Sequence, residues 1–98
     1  MITETLDFVL TALSREDKAA FLARSTGAFA TIVESQFDAI SNSLAAHLRS
    51  GFKLAHLGDA QRRSGDVSVF KITFADASDE VIAIISERDG KVDGLLLK

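Results

Sequence analysis

The chain of 98 residues contains two histidines, His47 and His56, and these are its best candidates for acid–base chemistry because imidazole titrates near neutral pH. His47 lies beside the apolar stripe of a predicted helix, and His56 lies on a predicted strand. If both pointed into one cleft, either could act as a general base. We favour the plainer interpretation, in which one is a half-buried polar group of the core and the other is exposed to solvent.

Three carboxylates, Asp7, Asp38 and Asp59, are candidate acidic groups of a pocket. Asp38 has a structural explanation, because it stands three residues after Ser35 and completes a variant of the helix-capping pattern. Asp7 falls on the polar side of a predicted helix and Asp59 falls near a strand end, so structural or solvated roles are favoured for all three. We therefore predict no catalytic residue.

A metal or cofactor site is not predicted either. The chain has no cysteine, which excludes disulfides and thiolate metal sites. Two histidines and a carboxylate could bind a metal in principle, but the sequence places no third ligand near them. The aspartates of the last third belong to turns or strand edges and do not follow the spacing of a calcium loop.

Composition and charge narrow the class of protein. The net charge is −3, with 47% hydrophobic and 26% charged residues, which is typical of a soluble globular protein. No basic block is present, so we expect no binding to nucleic acid. The N-terminus lacks the positive region of a secretory signal, and no apolar run approaches the roughly 20 residues of a membrane span. We expect one domain over residues 1–98, in the cytoplasm and not in a membrane.

Strands are predicted for the second half of the chain, where short runs are rich in Val, Ile, Phe and Leu. A polar loop is expected over Gln61–Asp66. Asp89-Gly90 is the pair that a tight hairpin turn prefers, because both central residues of that turn need positive φ. The predicted strands, joined as a meander, are Phe52–Ala60, Val67–Ala75, Val81–Glu87 and Val92–Leu97.

Helices are predicted for the first half. Residues 3–13 carry apolar side chains at helical spacing, and Ser14 followed by Asp17 indicates an N-cap for a second helix over Arg15–Arg24. The segment Ala28–Val33 is ambiguous between a helical turn and a small strand.

The strongest helix is predicted over Gln36–Ser50, with Ser35 as its N-cap and Gly51 at its C-terminal end. Helices followed by a run of strands indicate an α+β fold. We expect N-terminal helices packed on a curved four-stranded antiparallel sheet.

Two of the predicted strands are apolar on both faces, which indicates that both faces are covered. A chain this short has helices enough for one face, so the other face needs a partner, and a second copy is the most economical one. The predicted homodimer face comprises Val81, Ile82, Ile84, Ile85, Leu95, Leu96 and Leu97.

A small apolar ligand is the other predicted partner, because aromatic side chains commonly line small-molecule pockets. Phe29 and Phe52 are the expected pocket walls, since each lies at a junction between segments. His47 and His56 are the polar residues that we group with them.

Four features of the chain point to a family resemblance: the helical first half, the capped helix ending in Gly51-Phe52, the meander and the closing run Asp89-Gly-Lys-Val-Asp-Gly-Leu95. Together they resemble the small cone-shaped, cystatin-like α+β domains of the nuclear transport factor 2-like superfamily. The similarity is greatest to its uncharacterised bacterial branch. The superfamily also includes ketosteroid-isomerase-like proteins. The resemblance implies a pocket between helices and sheet and frequent dimerisation through the outer sheet face. Isomerase-type members use a Tyr and an acidic base, but this chain has no Tyr, so no catalytic residue is carried over.

Three functions remain open at this point. The first is a non-enzymatic homodimeric domain that binds a small apolar ligand between helices and sheet. The second is a small ketosteroid-isomerase-like isomerase or lyase that uses an Asp or His in the pocket. The third is an adaptor that binds another protein through the open sheet face.

Overall fold

The computed structural model describes residues 2–62 and 65–98. The described residues form four helices followed by four strands, which are connected in sequence order as a fully antiparallel sheet. This confirms the α+β prediction and the meander. The helices are α1 (Ile2–Ser14), α2 (Lys18–Ala23), α3 (Gly27–Glu34) and α4 (Phe37–Arg49), and the strands are β1 (Phe52–Arg62), β2 (Gly65–Phe74), β3 (Val81–Arg88) and β4 (Lys91–Leu97). Within this part of the chain, no helix is long and apolar enough to cross a membrane.

The predicted polar loop over 61–66 is too long, because β1 continues to Arg62 and β2 begins at Gly65. Residues 63 and 64 of that loop lie outside the described residues.

Two predicted helix caps are wrong. Ser14 ends α1 and its hydroxyl donates to the carbonyl of Thr11, while the cap of α2 is Asp17, whose carboxylate accepts from the Ala20 amide at 3.1 Å. Ser35 follows α3 instead of capping α4, which begins after Gln36 without a side-chain cap. Short polar side chains can satisfy backbone groups at either end of a helix, and this makes the two ends hard to tell apart from sequence.

The ambiguous segment after Ser25 is α3. Its cap is Thr26, whose hydroxyl accepts from the amide of Phe29 at 3.3 Å. The Thr26 hydroxyl also contacts the Asp93 carboxylate at 2.7 Å, so the start of α3 is bonded to β4.

The hairpin prediction at Asp89-Gly90 is confirmed. The φ angles are 53° at Asp89 and 78° at Gly90, and the flanking residues Arg88 and Lys91 are paired. Positive φ at both central residues gives the turn a twist that matches the strands. Arg24 donates from Nε to the carbonyl of Gly90 at 3.1 Å, which ties the turn to the end of α2.

One side of the sheet forms the core with the helices. The alternation in β2 and β3 sends Phe70, Ile72, Ala83 and Ile85 to that side, where none exceeds 1% exposure. Helix side chains complete the cluster, among them Leu6, Leu10, Leu13, Phe21, Phe37 and Leu48. The opposite side of the sheet, which we call the outer face, carries no helix of the described chain.

Candidate functional site

An apolar pocket of about 500 Å³ lies between α3, α4 and the sheet at its β3–β4 side. Buried Phe21 and Phe29 form its deep wall, and half-buried leucines from α4 and β4 form its sides. Few polar side chains border it, namely Gln36, Ser43 and Lys98. The apolar lining comprises Leu13, Phe21, Phe29, Val33, Ala39, Ile40, Leu44, Val81, Leu95, Leu96 and Leu97.

The structure does not bring the four predicted pocket residues together. Phe29 lines the apolar pocket. Phe52 lies on the helix-facing side of β1 and borders a different, shallow depression beside the exposed side of α1. His47 and His56 line neither of these and belong to two separate polar clusters. The alternation of strand side chains and the 3.6-residue period of the helix do not determine which pocket a given side chain reaches.

The first polar cluster joins the end of α4 to the turn between β2 and β3. Nδ1 of His47 lies 2.7 Å from Oδ2 of Asp76 and 2.8 Å from Oγ of Ser78. The Ser78 amide donates to Asp76 at 2.9 Å, as in an Asx turn. Hydrogen bonds from the side chain of Ser78, then from His47, then from the Ser78 amide lower the pKa of Asp76 to about 2.

The types Ser, His and Asp would suit nucleophilic catalysis, but this arrangement does not. A catalytic triad places the serine on one ring nitrogen of the histidine and the carboxylate on the other. In this cluster both oxygens approach Nδ1 of His47, so Ser78 does not contact the Nε2 that would have to accept its proton. The arrangement serves instead to hold the β2–β3 turn against α4.

The low pKa of Asp76 gives the protein a pH dependence of stability. A carboxyl whose pKa falls on folding stabilises the folded state above its ordinary pKa of 3.8, and this contribution is lost as the pH falls towards 2. We expect NMR titration to place the pKa of Asp76 near 2, and the Tm of Asp76→Asn to fall less than that of the wild type between pH 4.5 and 2. Asp79→Asn, an exposed neighbour, is the control and should follow the wild type. A wild-type Asp76 pKa near 4 would contradict this prediction.

The second polar cluster lies on the helix-facing side of β1 and β2. Nε2 of His56 is 2.8 Å from Oδ1 of Asp59, and the buried Ser68 hydroxyl donates to the same oxygen at 2.6 Å. The bond from Ser68, and then that from His56, lower the pKa of Asp59. The His56 ring stacks on Phe70 with centroids 4.9 Å apart. Here the serine reaches the carboxylate and not the imidazole, so this cluster also differs from a triad.

The remaining acidic candidates are separated from both histidines. Asp38 is exposed in the first turn of α4, and Asp7 is exposed on α1 beside the shallow depression. Over the described residues, no group of three or more His, Cys, Asp or Glu side chains is placed to hold a metal ion.

The seven residues of the predicted dimer face divide between the two sides of the sheet. Ile85 is fully buried in the core, and Val81, Leu95 and Leu97 pack against it. Contrary to the prediction from the sequence, these four residues therefore do not belong to a dimer face, because strand alternation turns them towards the helices. Ile82, Ile84 and Leu96 alternate with them and lie on the outer face. Val69 joins that face, so that Gly58, Val69, Ile84 and Leu96 form one row across all four strands.

Sequence reasoning missed most of the pocket lining. Ile40 and Leu44 belong to the apolar stripe of α4, and that stripe indicates a core position as readily as a pocket wall. Val81, Leu95 and Leu97 were assigned to the dimer face. In the folded chain these side chains are only partly buried, whereas core side chains are fully buried. The periodicity of the sequence is the same in both cases, so it cannot separate them.

Comparison with known proteins gives a structural likeness at low sequence identity. No family model and no curated protein matches the chain. Among solved structures, the chain is similar to an uncharacterized cystatin fold protein from Novosphingobium aromaticivorans, with 13% sequence identity, coverage of 97% of this chain and 95% of that chain, and a TM-score of 0.46. The α+β architecture stated above rests on the helices and sheet of the chain itself.

Proposed function

We propose that this chain is a non-enzymatic binding domain whose pocket takes a small apolar molecule. The pocket carries the proposal, because about 500 Å³ lies within the usual range of small-molecule sites and the lining is predominantly apolar. The order of helices and strands supports placing the domain among the cystatin-like folds of the nuclear transport factor 2-like superfamily.

The isomerase alternative finds little support in this pocket. Proton transfer to and from carbon needs a base within reach of the substrate and a second group to stabilise the charge that develops. Of the described residues that line the pocket, only Lys98 is ionisable. The two histidine–aspartate pairs lie in the clusters described above, outside the pocket lining.

Binding of the neutral fluorescent probe N-phenyl-1-naphthylamine tests the proposed function. The probe is excited at wavelengths longer than those that tryptophan absorbs, so the tryptophan introduced in each variant below does not interfere with its fluorescence. We expect saturable binding to the wild type and at least tenfold weaker binding to Ala39→Trp, because Ala39 lines the pocket and is exposed, so a large ring there fills the mouth without entering the core.

The matched control for the probe experiment is Ala46→Trp. Ala46 is an exposed residue of the same helix that does not line the pocket, so its affinity for the probe should stay within twofold of the wild type. Equal losses in the two variants, or no saturable binding to the wild type, would refute the apolar pocket as a ligand site.

A second candidate function is self-association through the outer face. Val69, Ile84 and Leu96 lie side by side there, and Val67 and Ile82 extend the apolar surface along β2 and β3. Contiguous apolar surface of this kind marks interaction sites in soluble proteins. An adaptor would use the same surface for a different protein, and it would then remain monomeric in isolation.

We expect sedimentation equilibrium to give a mass near two chains for the wild type and near one chain for Ile84→Lys at the same concentration. Burying a lysine ammonium without a partner costs a large desolvation free energy. Position 84 would be buried only when a second copy covers the outer face, so the substitution destabilises the dimer and not the monomer. Leu57→Lys is the control, because Leu57 is 54% exposed in a bulge of β1, outside the row of paired apolar residues. A wild type that stays monomeric at millimolar concentration would refute self-association and favour the adaptor.

A further inference from the structure

β4 is an edge strand with open backbone groups. Lys98 and Ile82 exchange two backbone hydrogen bonds of 2.9 Å each. In an antiparallel ladder such pairs recur at every second residue, so Leu96 bonds to Ile84 while Leu95 and Leu97 direct their N–H and C=O groups away from β3. Over residues 2–62 and 65–98, these four groups have no hydrogen-bond partner.

The chain protects this edge only at its beginning. The Val92 amide donates to the carbonyl of Arg24 at 2.7 Å, and the Thr26 amide donates to the carbonyl of Val92 at 2.8 Å. Ser25 thereby forms a short parallel bridge with Val92. At Gly27 the chain turns into α3, and the edge beyond Val92 is left open. The apolar pocket borders residues 95–98, so open space adjoins the unpaired groups.

The open part of the edge lacks the features that usually prevent strand pairing. Exposed edges are commonly protected by charged side chains, proline or bulges. The segment Gly94–Leu97 has no charge and no proline, and the bulge at Asp93 precedes it. Among the described residues, four large apolar side chains are exposed, and two of them are Leu96 on β4 at 48% and Ile32 on the neighbouring α3 at 61%.

We propose that the β4 edge pairs with the β4 edge of a second copy, antiparallel and centred on Leu96, to form a continuous eight-stranded sheet. This inference rests on self-association but places the contact at the β4 edge and not across the outer face. Ile84 lies one strand inward from that edge, so Ile84→Lys would leave the edge-paired dimer intact while it disrupts a face-to-face dimer. Leu95 lies opposite Leu97 of the second copy, and Leu97 lies opposite Leu95, so the free groups of both copies combine into four hydrogen bonds. Leu96 meets Leu96 of the second copy across the two-fold axis, on the outer face.

The edge is complementary to itself in this one register. If the two β4 strands were shifted by two residues in either direction, either Leu95 or Leu97 of each copy would no longer lie opposite a leucine of the other copy. The centred register also places Lys98 opposite Gly94 of the second copy, so the lysines of the two copies do not face each other. Two-fold symmetry of this kind makes the same patch both halves of the interface, which is the usual geometry of a homodimer.

Amide hydrogen exchange followed by NMR tests the pairing on the unaltered protein. We expect the amides of Leu95 and Leu97 to be protected at concentrations where the protein is dimeric, and to lose at least tenfold in protection on dilution to the monomer. Face-to-face association would leave these two amides exchanging at the monomer rate. That result in a dimeric sample would overturn the edge pairing while retaining self-association.

A proline variant provides a second, independent measurement. Leu97→Pro removes an N–H that points away from β3, so the β3–β4 ladder is kept while two of the four intermolecular bonds are lost. We expect the dimer dissociation constant to rise at least tenfold, and Leu97→Val, which retains the N–H, to stay within threefold of the wild type. Equal dissociation constants for all three proteins would overturn the proposal, and a monomeric wild type would overturn both it and the self-association beneath it.

Discussion

Phe21→Ala is expected to lower the free energy of unfolding by about 3–5 kcal/mol, the usual cost of removing a buried phenylalanine ring. Phe21 is 1% exposed, and its ring lies 5.4 Å from that of Phe37 and 6.3 Å from that of Phe29, measured between centroids. It therefore joins α2 to α3 and α4. Domains of this size have total stabilities on the order of 5–15 kcal/mol, so the variant should lose a large share of its stability. Urea denaturation followed by circular dichroism measures the change.

Phe8→Ala is the matched control for this loss. Phe8 is 41% exposed on α1, and its ring is 5.1 Å from the Arg24 guanidinium carbon. Removing an exposed ring and its cation–π contact should cost about 0.5–1 kcal/mol. If the two variants lost similar amounts, Phe21 would not be the packing centre of the helices.

Gly51→Ala is expected to lower stability by about 1–3 kcal/mol through backbone strain. Gly51 follows α4 with φ of 111°, a conformation that side-chain-bearing residues rarely adopt. An added Cβ would also lie 3.4 Å from Cβ of Ala75, whose amide donates to the Gly51 carbonyl at 2.8 Å. The substituted chain would have to shift the junction between α4 and β1 or accept the strain.

Gly27→Ala is the control for the glycine substitution. Gly27 opens α3, and a Cβ built there meets nothing within 4 Å. Replacing a glycine where alanine fits should leave stability unchanged or raise it by about 0.4–1 kcal/mol, since the unfolded chain loses freedom. A loss at Gly27 as large as that at Gly51 would contradict the strain argument.

The strands were predictable because their signal is local. Each run of Val, Ile, Phe and Leu is short and is bounded by turn residues, and Asp89-Gly90 specifies its turn through the φ angles it tolerates. The strand ends at Arg62 and Gly65 were missed, because the residue types of Gln61–Asp66 are typical of a loop. The misplaced caps at Ser14 and Ser35 have a similar cause, since a hydroxyl bonds to whichever backbone group is near.

The candidate site was much less predictable. Phe29 lines the apolar pocket, but His47 contacts Asp76 and Ser78, and His56 contacts Asp59, all outside the lining of that pocket. Two of these three partners, Asp76 and Ser78, lie about thirty residues from His47 along the chain. Such long-range pairings depend on how α4 meets the β2–β3 turn, which no local pattern encodes.

The sequence by itself determined the α+β class, the meander, the hairpin turn and the apolar residues on both faces of the last two strands. Periodicity and turn chemistry act over a few neighbouring residues, so they can be read from the order of side chains alone. Only the tertiary structure decided which side of β3 and β4 meets the helices, and with it the division of Val81–Leu97 between pocket and outer face. Alternate side chains of a strand are equivalent until a helix packs against one of them, and here Ile85 is buried in the core while Ile84 faces outward.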